Sequence, residues 1–185
     1  MIDKINEETK QKMEKSITLL AQELSKLRTG RASPALVEGI KVDYYGSILP
    51  LNQVATISIP EARLIVIQPW DKNALESIEK AIYKSAIGLT PNNDGNIIRL
   101  PIPSLTTERR EELVKLTQKL GEDTKIAIRN IRREANTEIK KEEKDKNISE
   151  DDAKKAHDRI QKLTDDSIAR VDEHVRQKET EIRET

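Results

Sequence analysis

The chain has 185 residues, of which 35% are hydrophobic, 36% are charged and only 2% are aromatic. This composition is typical of long amphipathic helices that meet along narrow seams, and it argues against one thick core. The 33 basic and 33 acidic residues cancel, which excludes a uniformly basic nucleic-acid binder but leaves room for a local basic surface.

Cysteine usage and the first residues bear on the cellular compartment. The absence of cysteine excludes disulfides and favours a reducing environment. No apolar run approaches the roughly 20 residues that cross a membrane. The opening stretch MIDKINEETK is polar and acidic, unlike a signal peptide or an Arg-rich transit peptide. We therefore expect a cytoplasmic protein.

The first predicted helix occupies the beginning of the chain. From Met13 its apolar residues recur at intervals of 4, 3, 4 and 3, which is a heptad seam. Asp3 suits the N-cap position. The stretch LRTGRASP then ends the helix, because Gly30 suits a left-handed C′ position and Pro34 keeps Ser33 out of the α region.

The middle of the chain changes its periodicity. IKVDYYG alternates apolar residues, ATISIP and RLIVIQP are rich in β-branched residues, and NIIRLPIP predicts a further strand. DKNALESIEKAIYKSAIG predicts one amphipathic helix with Leu75, Ile78, Ala81 and Ile82 on its inward face. Residues 31–104 are thus predicted to form a small α/β unit.

The second predicted helix begins after PIPS, with Thr106 or Thr107 as its cap, and ends near Lys146. Gly121 interrupts it at a cost of about 1 kcal/mol relative to alanine. Its predicted seam comprises Leu113, Leu116, Leu120, Ala127, Ile131, Ala135 and Ile139.

The third predicted helix opens with ISEDDA, where Ser149 and Asp152 form a capping box. Its seam comprises Ala153, Ala156, Ile160, Leu163, Val171, Val175 and Ile182. Because the turn DKN before it is short, we expect the second and third helices to be antiparallel neighbours.

Together these elements predict an α+β fold. Residues 1–30 and 105–185 form an elongated three-helix bundle, and the α/β unit is inserted between its first and second helices. The two connections, near residues 29–33 and 101–104, contain glycine and proline, which is typical of a hinge. A fixed elbow between tightly packed domains fits the same anatomy, and the pattern leaves both open.

The sequence contains no catalytic constellation. His157 and His174 are too far apart on one predicted helix to converge on a metal or a substrate. GLTPNNDG lacks the lysine and the following helix of a phosphate-binding loop. We therefore expect a protein that is not an enzyme and that has no metal and no cofactor.

The distinctive chemical feature is basic. In KIAIRNIRREA, the side chains of Lys125, Arg129, Arg132 and Arg133 lie on one side of the second predicted helix. Arginine suits bidentate phosphate contacts, and the lack of interleaved aromatic residues favours structured RNA over single strands. The alternative is a solvated face whose cations pair with acidic neighbours, namely Glu122, Glu134 and Glu138.

Two classes of function fit these residues. One is a two-domain RNA-binding factor with a rigid helical arm, and the other is a helical adaptor or chaperone-like module that binds proteins without RNA contacts. Salt dependence separates them. For an RNA binder, the logarithm of the affinity falls as the logarithm of the salt concentration rises, with a slope of about one unit for each phosphate neutralised. An adaptor with an apolar interface responds little.

Four stretches then reveal a family resemblance. KLRTGRASPALVEGIKVDYYGS, GLTPNNDGNIIRLPIPSLTTERREELVK, IAIRNIRREAN and DKNISEDDAKKAHDRIQKLTDDSI together resemble the bacterial ribosome recycling factor family. The resemblance covers essentially the whole chain, and the patterns RTGRASP and RNxRR(D/E)AN are highly specific. Thr107 departs from the glutamate common in the family, and the extension of organellar relatives is missing, which favours a bacterial cytosolic protein.

The resemblance implies a fold and a function. Family members combine a three-helix bundle and a small α/β domain in an L-shaped, tRNA-like outline. As monomers they bind the large ribosomal subunit, through its rRNA, after termination. With elongation factor G and GTP hydrolysis on that partner they help to split the subunits, and an initiation factor then prevents rejoining as mRNA and tRNA leave. The factor itself carries no nucleotide and catalyses nothing.

The resemblance also assigns residues. Arg132 corresponds to the family's principal arginine for contacting large-subunit rRNA, and Arg129, Arg28 and Arg133 match further basic positions, while Lys125 joins them on the charge pattern alone. Hinge roles fall on Thr29, Gly30, Arg31, Pro101, Pro103 and Ser104. The small domain is expected to face the elongation factor.

Overall fold

The computed structural model describes residues 1–184 and has the α+β architecture expected of the sequence. The chain divides into two compact units, one formed by Met1–Arg28 with Thr107–Glu184 and the other by Thr29–Thr106. The first unit is helical, and the second, here called the insert, contains all the strands. Over the described residues, no helix is long and apolar enough to span a membrane.

The helical unit is a bundle of three helices, as predicted. Helix α1 spans Ile2–Lys26, α3 spans Thr107–Lys144 and α4 spans Glu150–Glu184, while α2 belongs to the insert. A short turn joins α3 to α4, and the two run antiparallel, since residues early in α4 face residues late in α3. The predicted antiparallel pairing of these helices is confirmed.

The seam of the bundle is narrow and includes hydroxyl groups. Met13, Ile17, Leu20 and Leu24 of α1 are buried at the predicted heptad positions. Two buried threonines satisfy their hydroxyls on the backbone: Thr9 donates to the carbonyl of residue 5, and Thr164 to that of residue 160, each at 2.7 Å. Each hydroxyl donor therefore has a partner inside the seam.

The predicted seam of α3 is partly wrong. Leu116 is 41% exposed, and the buried positions of this region are Leu113, Val114, Thr117 and Gly121. Counting only apolar residues led to Leu116, because the helix actually buries a threonine and a glycine on its inward face. Further along α3, burial centres on Ile128, Ala135 and Ile139.

Gly121 is a point of close helix approach. A β-carbon built on Gly121 would lie 2.4 Å from Cγ2 of Val175, well inside van der Waals contact. The glycine therefore lets α4 pack directly on the backbone of α3, and its low helix propensity accompanies that packing.

The helix ends correct two predictions. Helix α1 begins after Met1, so Asp3 lies in the first turn, where its charge complements the helix dipole, and it is not the N-cap. The α1 C-cap is Leu27, and Gly30 therefore lies beyond the C′ position although its φ is +77°. Pro34 does act as predicted, since Ser33 has extended backbone angles.

The capping box of α4 is confirmed with a variation. The backbone N–H of Asp152 donates to the Ser149 hydroxyl at 3.1 Å, and that hydroxyl donates to the Asp152 carboxylate at 2.7 Å. The shorter Asp side chain thus bonds the capping hydroxyl, where the usual Glu reaches the backbone.

The insert is built from two antiparallel sheets, one α-helix and three short 3-10 helices. Strands β1 (Lys41–Tyr44) and β2 (Ser47–Pro50) form a hairpin, and the larger sheet has the order β3-β4-β6-β5. Its strands are β3 (Ala55–Glu61), β4 (Leu64–Pro69), β5 (Asn92–Asn93) and β6 (Ile98–Pro101), and helix α2 spans Leu75–Lys84. The core comprises Val37, Val42, Leu51, Ile65, Ile67, Ile78, Ile82, Ile98 and Leu100.

Strand β2 was not predicted. The hairpin turns at Tyr45 and Gly46, which both have positive φ, as a two-residue hairpin turn of mirror-image type requires. Tyrosine is an unusual residue in that conformation, and the hydroxyl of Tyr45 is held at 3.0 Å by the carboxylate of Asp71. The turn has the glycine but not the asparagine of the usual Asn-Gly signature, so the local sequence indicates a hairpin only weakly.

Candidate nucleic-acid interface

The basic side chains singled out in the sequence, here called the basic stripe, are Lys125, Arg129, Arg132 and Arg133 of α3. The structure brings the first three to the edge of α3 that faces α4, where each is half-buried. Arg133 lies further round the helix and is exposed. All four positions lie on uninterrupted helix, so a rigid element positions the cations.

Lys125 is an internal link between two helices. Its Nζ lies 2.5 Å from Oδ1 of Asp172 on α4 and 3.9 Å from Oε2 of Glu122, and its side chain is only 21% exposed. The ammonium group therefore already has a carboxylate partner, and its side chain is more enclosed than that of Arg129, which is 41% exposed.

Arg129 is paired along its own helix. Its Nη1 donates to Oε1 of Glu122 at 3.2 Å, and both side chains remain in contact with solvent. Solvated pairs of this kind contribute about 0–1 kcal/mol and exchange readily for other partners. The pairing with Glu122 expected of a solvated face therefore exists, whereas Glu134 pairs instead with Lys12 of α1 at 3.4 Å.

Arg132 has a neutral partner. Its Nη1 donates to Oε1 of Gln161 on α4 at 3.4 Å, and Nε2 of Gln161 donates to Oδ1 of Asp165 at 2.9 Å. Within residues 1–184, neither Arg132 nor Arg133 forms an ion pair with a carboxylate. An external anion therefore need not displace a carboxylate to bind either guanidinium group.

One histidine takes part in helix packing beside the stripe. Nδ1 of His157 lies 2.7 Å from Oδ1 of Asn136, which links α4 to α3 one turn beyond Arg132. His174 is half-buried elsewhere on α4. Among the described residues, no group of three or more histidine, aspartate or glutamate side chains is arranged to hold a metal ion.

Arg28 lies outside the stripe. It is exposed and follows the C-cap of α1. Ile5, near the start of α1, shares a cluster with Ala135 and Ile139, and Leu24, near its end, shares one with Ile128, so α1 runs antiparallel to α3. Arg28 is therefore on the Lys125 side of the stripe, away from Arg133.

The predicted hinge residues occupy the two ends of the insert. Gly30 is left-handed, and a β-carbon there would lie 3.3 Å from Cγ of Leu105. Thr29 is buried, and Arg31, Pro103 and Ser104 are exposed.

Both ends of the insert are tied to the same turn. The amide of Ala32 donates to the carbonyl of Ala62 at 2.8 Å, and the amide of Ile102 donates to that of Arg63 at 2.8 Å. Pro101 is the last residue of β6 and pairs with Leu64. The residues outside these anchors are Thr29 to Arg31 and Pro103 onward.

Sequence reasoning missed the α4 side of the stripe. One edge of α4 supplies the partners of these cations. Asp172 pairs with Lys125, Gln161 accepts from Arg132, and Asp165 accepts from Gln161. The sequence predicts that the two helices are antiparallel. Pairing residues that lie equally far from the turn between them places Gln161 opposite Arg132.

The chain is similar to known proteins over nearly its whole length. A family model described as ribosome recycling factor matches residues 20–182. A protein of Natranaerobius thermophilus named ribosome-recycling factor is 57% identical over 98% of each chain. The ribosome-recycling factor of Carboxydothermus hydrogenoformans is also 57% identical over 98% of each chain.

Solved structures give the same result. The chain is 46% identical to a ribosome recycling factor solved in solution, with a TM-score of 0.74 over 100% of this chain and 98% of the other. It is also 47% identical to a T. thermophilus ribosome recycling factor that is described, together with E. coli elongation factor G, as bound to the E. coli post-termination complex. That second comparison has a TM-score of 0.62 over 98% of each chain.

Proposed function

The chain belongs to the ribosome recycling factor family, and from this membership we propose that it recycles ribosomes after translation termination. It binds the large ribosomal subunit of the post-termination complex and, with elongation factor G and GTP, promotes subunit splitting and release of mRNA and tRNA. The observation that carries this proposal is the match at 57% identity over 98% of both chains to a protein named for the activity.

In this proposal the helical unit is the RNA-binding arm. Arg132 makes the principal contact with large-subunit rRNA, and Arg129, Arg133 and Arg28 add further phosphate contacts. Support comes from the geometry of α3, which presents two guanidinium groups without carboxylate partners among residues 1–184. Lys125 contributes to the local potential, although its ammonium group is already paired with Asp172.

The insert is the part on which elongation factor G acts, and the long bundle transmits that push to the ribosome as a rigid lever. GTP is hydrolysed on the elongation factor, and the recycling factor supplies binding and leverage without catalysis or a nucleotide. We place the hinge at Thr29, Gly30 and Arg31 and at Pro103 and Ser104, outside the residues anchored to the β3–β4 turn. Pro101, the last residue of β6 and paired with Leu64 of β4, supports the hinge from the insert side.

A subunit-splitting assay tests the proposal. Post-termination ribosomes are mixed with elongation factor G and GTP, and light scattering reports dissociation with and without this protein. We expect splitting only when all components are present, and loss of splitting when a non-hydrolysable GTP analogue replaces GTP. A protein that binds ribosomes without accelerating splitting would contradict the recycling function.

The rRNA contact has its own test. We expect Arg132→Ala to weaken binding to isolated large subunits and to reduce the slope of log affinity against log salt by about one unit. Arg176→Ala, which removes an exposed arginine elsewhere on α4, is the matched control and should leave both quantities unchanged. Equal behaviour of the two variants would remove Arg132 from the interface.

A further inference from the structure

Lys125, Arg129 and Arg132 of the basic stripe have two kinds of partner. Lys125 and Arg129 each lie within ion-pair distance of carboxylates, from Asp172 and Glu122. Arg132 contacts an amide instead. A cation that is paired with a carboxylate must break that pair before it binds a phosphate, whereas a cation held by a neutral group need not.

Gln161 is oriented by its own second contact. A glutamine amide has one acceptor end and one donor end, and here the donor end, Nε2, is bound to the carboxylate of Asp165 at 2.9 Å. That contact turns Oε1 towards Nη1 of Arg132, 3.4 Å away. The carboxylate of Asp165 therefore fixes the direction of the amide. Gln161 lies between that carboxylate and the guanidinium group of Arg132.

We propose that Gln161 is a positioning residue for rRNA binding, which holds the Arg132 guanidinium group in place without neutralising it. The inference rests on the proposed function, because it assumes that Arg132 contacts a phosphate. It extends the site to α4, so that a contact of α3 with RNA depends on the second helix of the pair.

The amide is suited to this task for two reasons. A long arginine side chain loses rotamer entropy when it binds, and an existing hydrogen bond reduces that loss. Only one guanidinium nitrogen is used by Gln161, and the remaining N–H donors stay available for a bidentate phosphate contact. A glutamate at the same position would meet the geometric need but would compete with the phosphate.

The test measures affinity for isolated large ribosomal subunits across a salt series. Gln161→Glu places a carboxylate against Arg132, and we expect about tenfold weaker binding with a salt slope about one unit smaller. Gln161→Met keeps the length of the side chain and removes the amide, and we expect about threefold weaker binding with an unchanged slope.

Gln177→Glu is the matched control, since it makes the same charge change at an exposed position of the same helix, where the glutamine contacts Glu173. It should bind like the unmodified protein. Circular dichroism of every variant should be unchanged, because Gln161 is exposed and its substitution leaves no cavity.

A double variant shows whether Gln161 acts through Arg132. With Arg132→Ala already present, adding Gln161→Glu should cause no further loss of affinity. Additive losses in the double variant would overturn the inference, as would equal affinities of Gln161→Glu and Gln177→Glu.

The same experiment separates the two proposals. If Arg132→Ala weakens binding while both Gln161 variants bind normally, the positioning role is wrong and the rRNA contact stands. If Arg132→Ala itself binds normally with an unchanged salt slope, the rRNA contact is wrong and the positioning role falls with it.

Discussion

The bundle and the insert bury their apolar side chains in different ways. In the bundle, each helix contributes one row of buried residues, and the rows include small or hydroxyl-bearing positions such as Gly121 and Thr164. The insert instead surrounds one compact core with two sheets and a helix. Every aromatic residue of the chain lies in the insert, and Tyr45 and Trp70 are largely exposed there.

The two kinds of packing leave different surfaces for charged groups. The bundle has a thin apolar seam, and most of its helix surface is available to charges. Ion pairs at this surface link each pair of helices, through Lys12–Glu134, Lys125–Asp172 and the pair of Arg170 with Glu14. The hydrogen bond from Arg170 lowers the pKa of Glu14 below its ordinary value. Such pairs add little stability, so the seam carries the folding energy and the surface is free for recognition.

The largest effects should come from matched core truncations that break one unit at a time. Ile67 of the insert and Ile128 of the bundle are both fully buried, so each Ile→Ala change should cost about 2–5 kcal/mol of unfolding free energy. Hydrogen exchange measured by mass spectrometry should show lost protection within Thr29–Thr106 for Ile67→Ala. For Ile128→Ala the loss should be confined to the three helices of the bundle.

Equal loss of protection throughout the molecule in both variants would show that the two units unfold as one. The contrast between bundle and insert would then be a contrast of packing and not of stability.

A smaller effect is expected at the closest approach of α3 and α4. Gly121→Ala gains about 1 kcal/mol of helix propensity, but the new methyl group would lie 2.4 Å from Cγ2 of Val175. Overpacking of this kind costs about 1–3 kcal/mol, so chemical denaturation should report a less stable bundle.

Asn130→Ala is the control, since it adds helix propensity at an exposed position of the same helix. Combining Gly121→Ala with Val175→Ala should cost less than the sum of the two single changes. A Gly121→Ala variant that is more stable than the parent would show that Val175 moves aside freely.

A further effect of similar size concerns the connection between the units. Gly30 has a φ of +77° and Gly39 does not have positive φ, so Gly30→Val should lower stability by about 1–2 kcal/mol while Gly39→Val should change it little. If Gly30 belongs to a hinge, the variant should also change the small-angle scattering profile and slow subunit splitting. Unchanged scattering and splitting in Gly30→Val would leave its role purely structural.

Several elements could be predicted from the residues alone. The heptad spacing of α1 and the Ser149 cap depend on local sequence, and both are confirmed. Strand β2 was missed because its turn uses Tyr45 where asparagine is usual. The α3 seam was misassigned at Leu116 because a buried glycine gives no apolar signal.

The sequence predicts the basic residues of the candidate interface. It predicts less directly which residues of α4 contact them. The arginines of α3 are visible as a run of basic residues, but whether a cation is already paired depends on a neighbouring helix. Gln161 and Asp172 are ordinary polar residues in the sequence, and only the register of two antiparallel helices gives them a role.

The position of the insert has a consequence for synthesis of the chain. The buried face of α1 packs against α3 and α4, which lie beyond the insert in the chain, so α1 leaves the ribosome long before its partners exist. At about 5–20 residues per second, that delay lasts several seconds. The insert has its own core and can fold as soon as β6 emerges. During translation, the insert can therefore fold before α1, which precedes it in the chain, has partners to pack against.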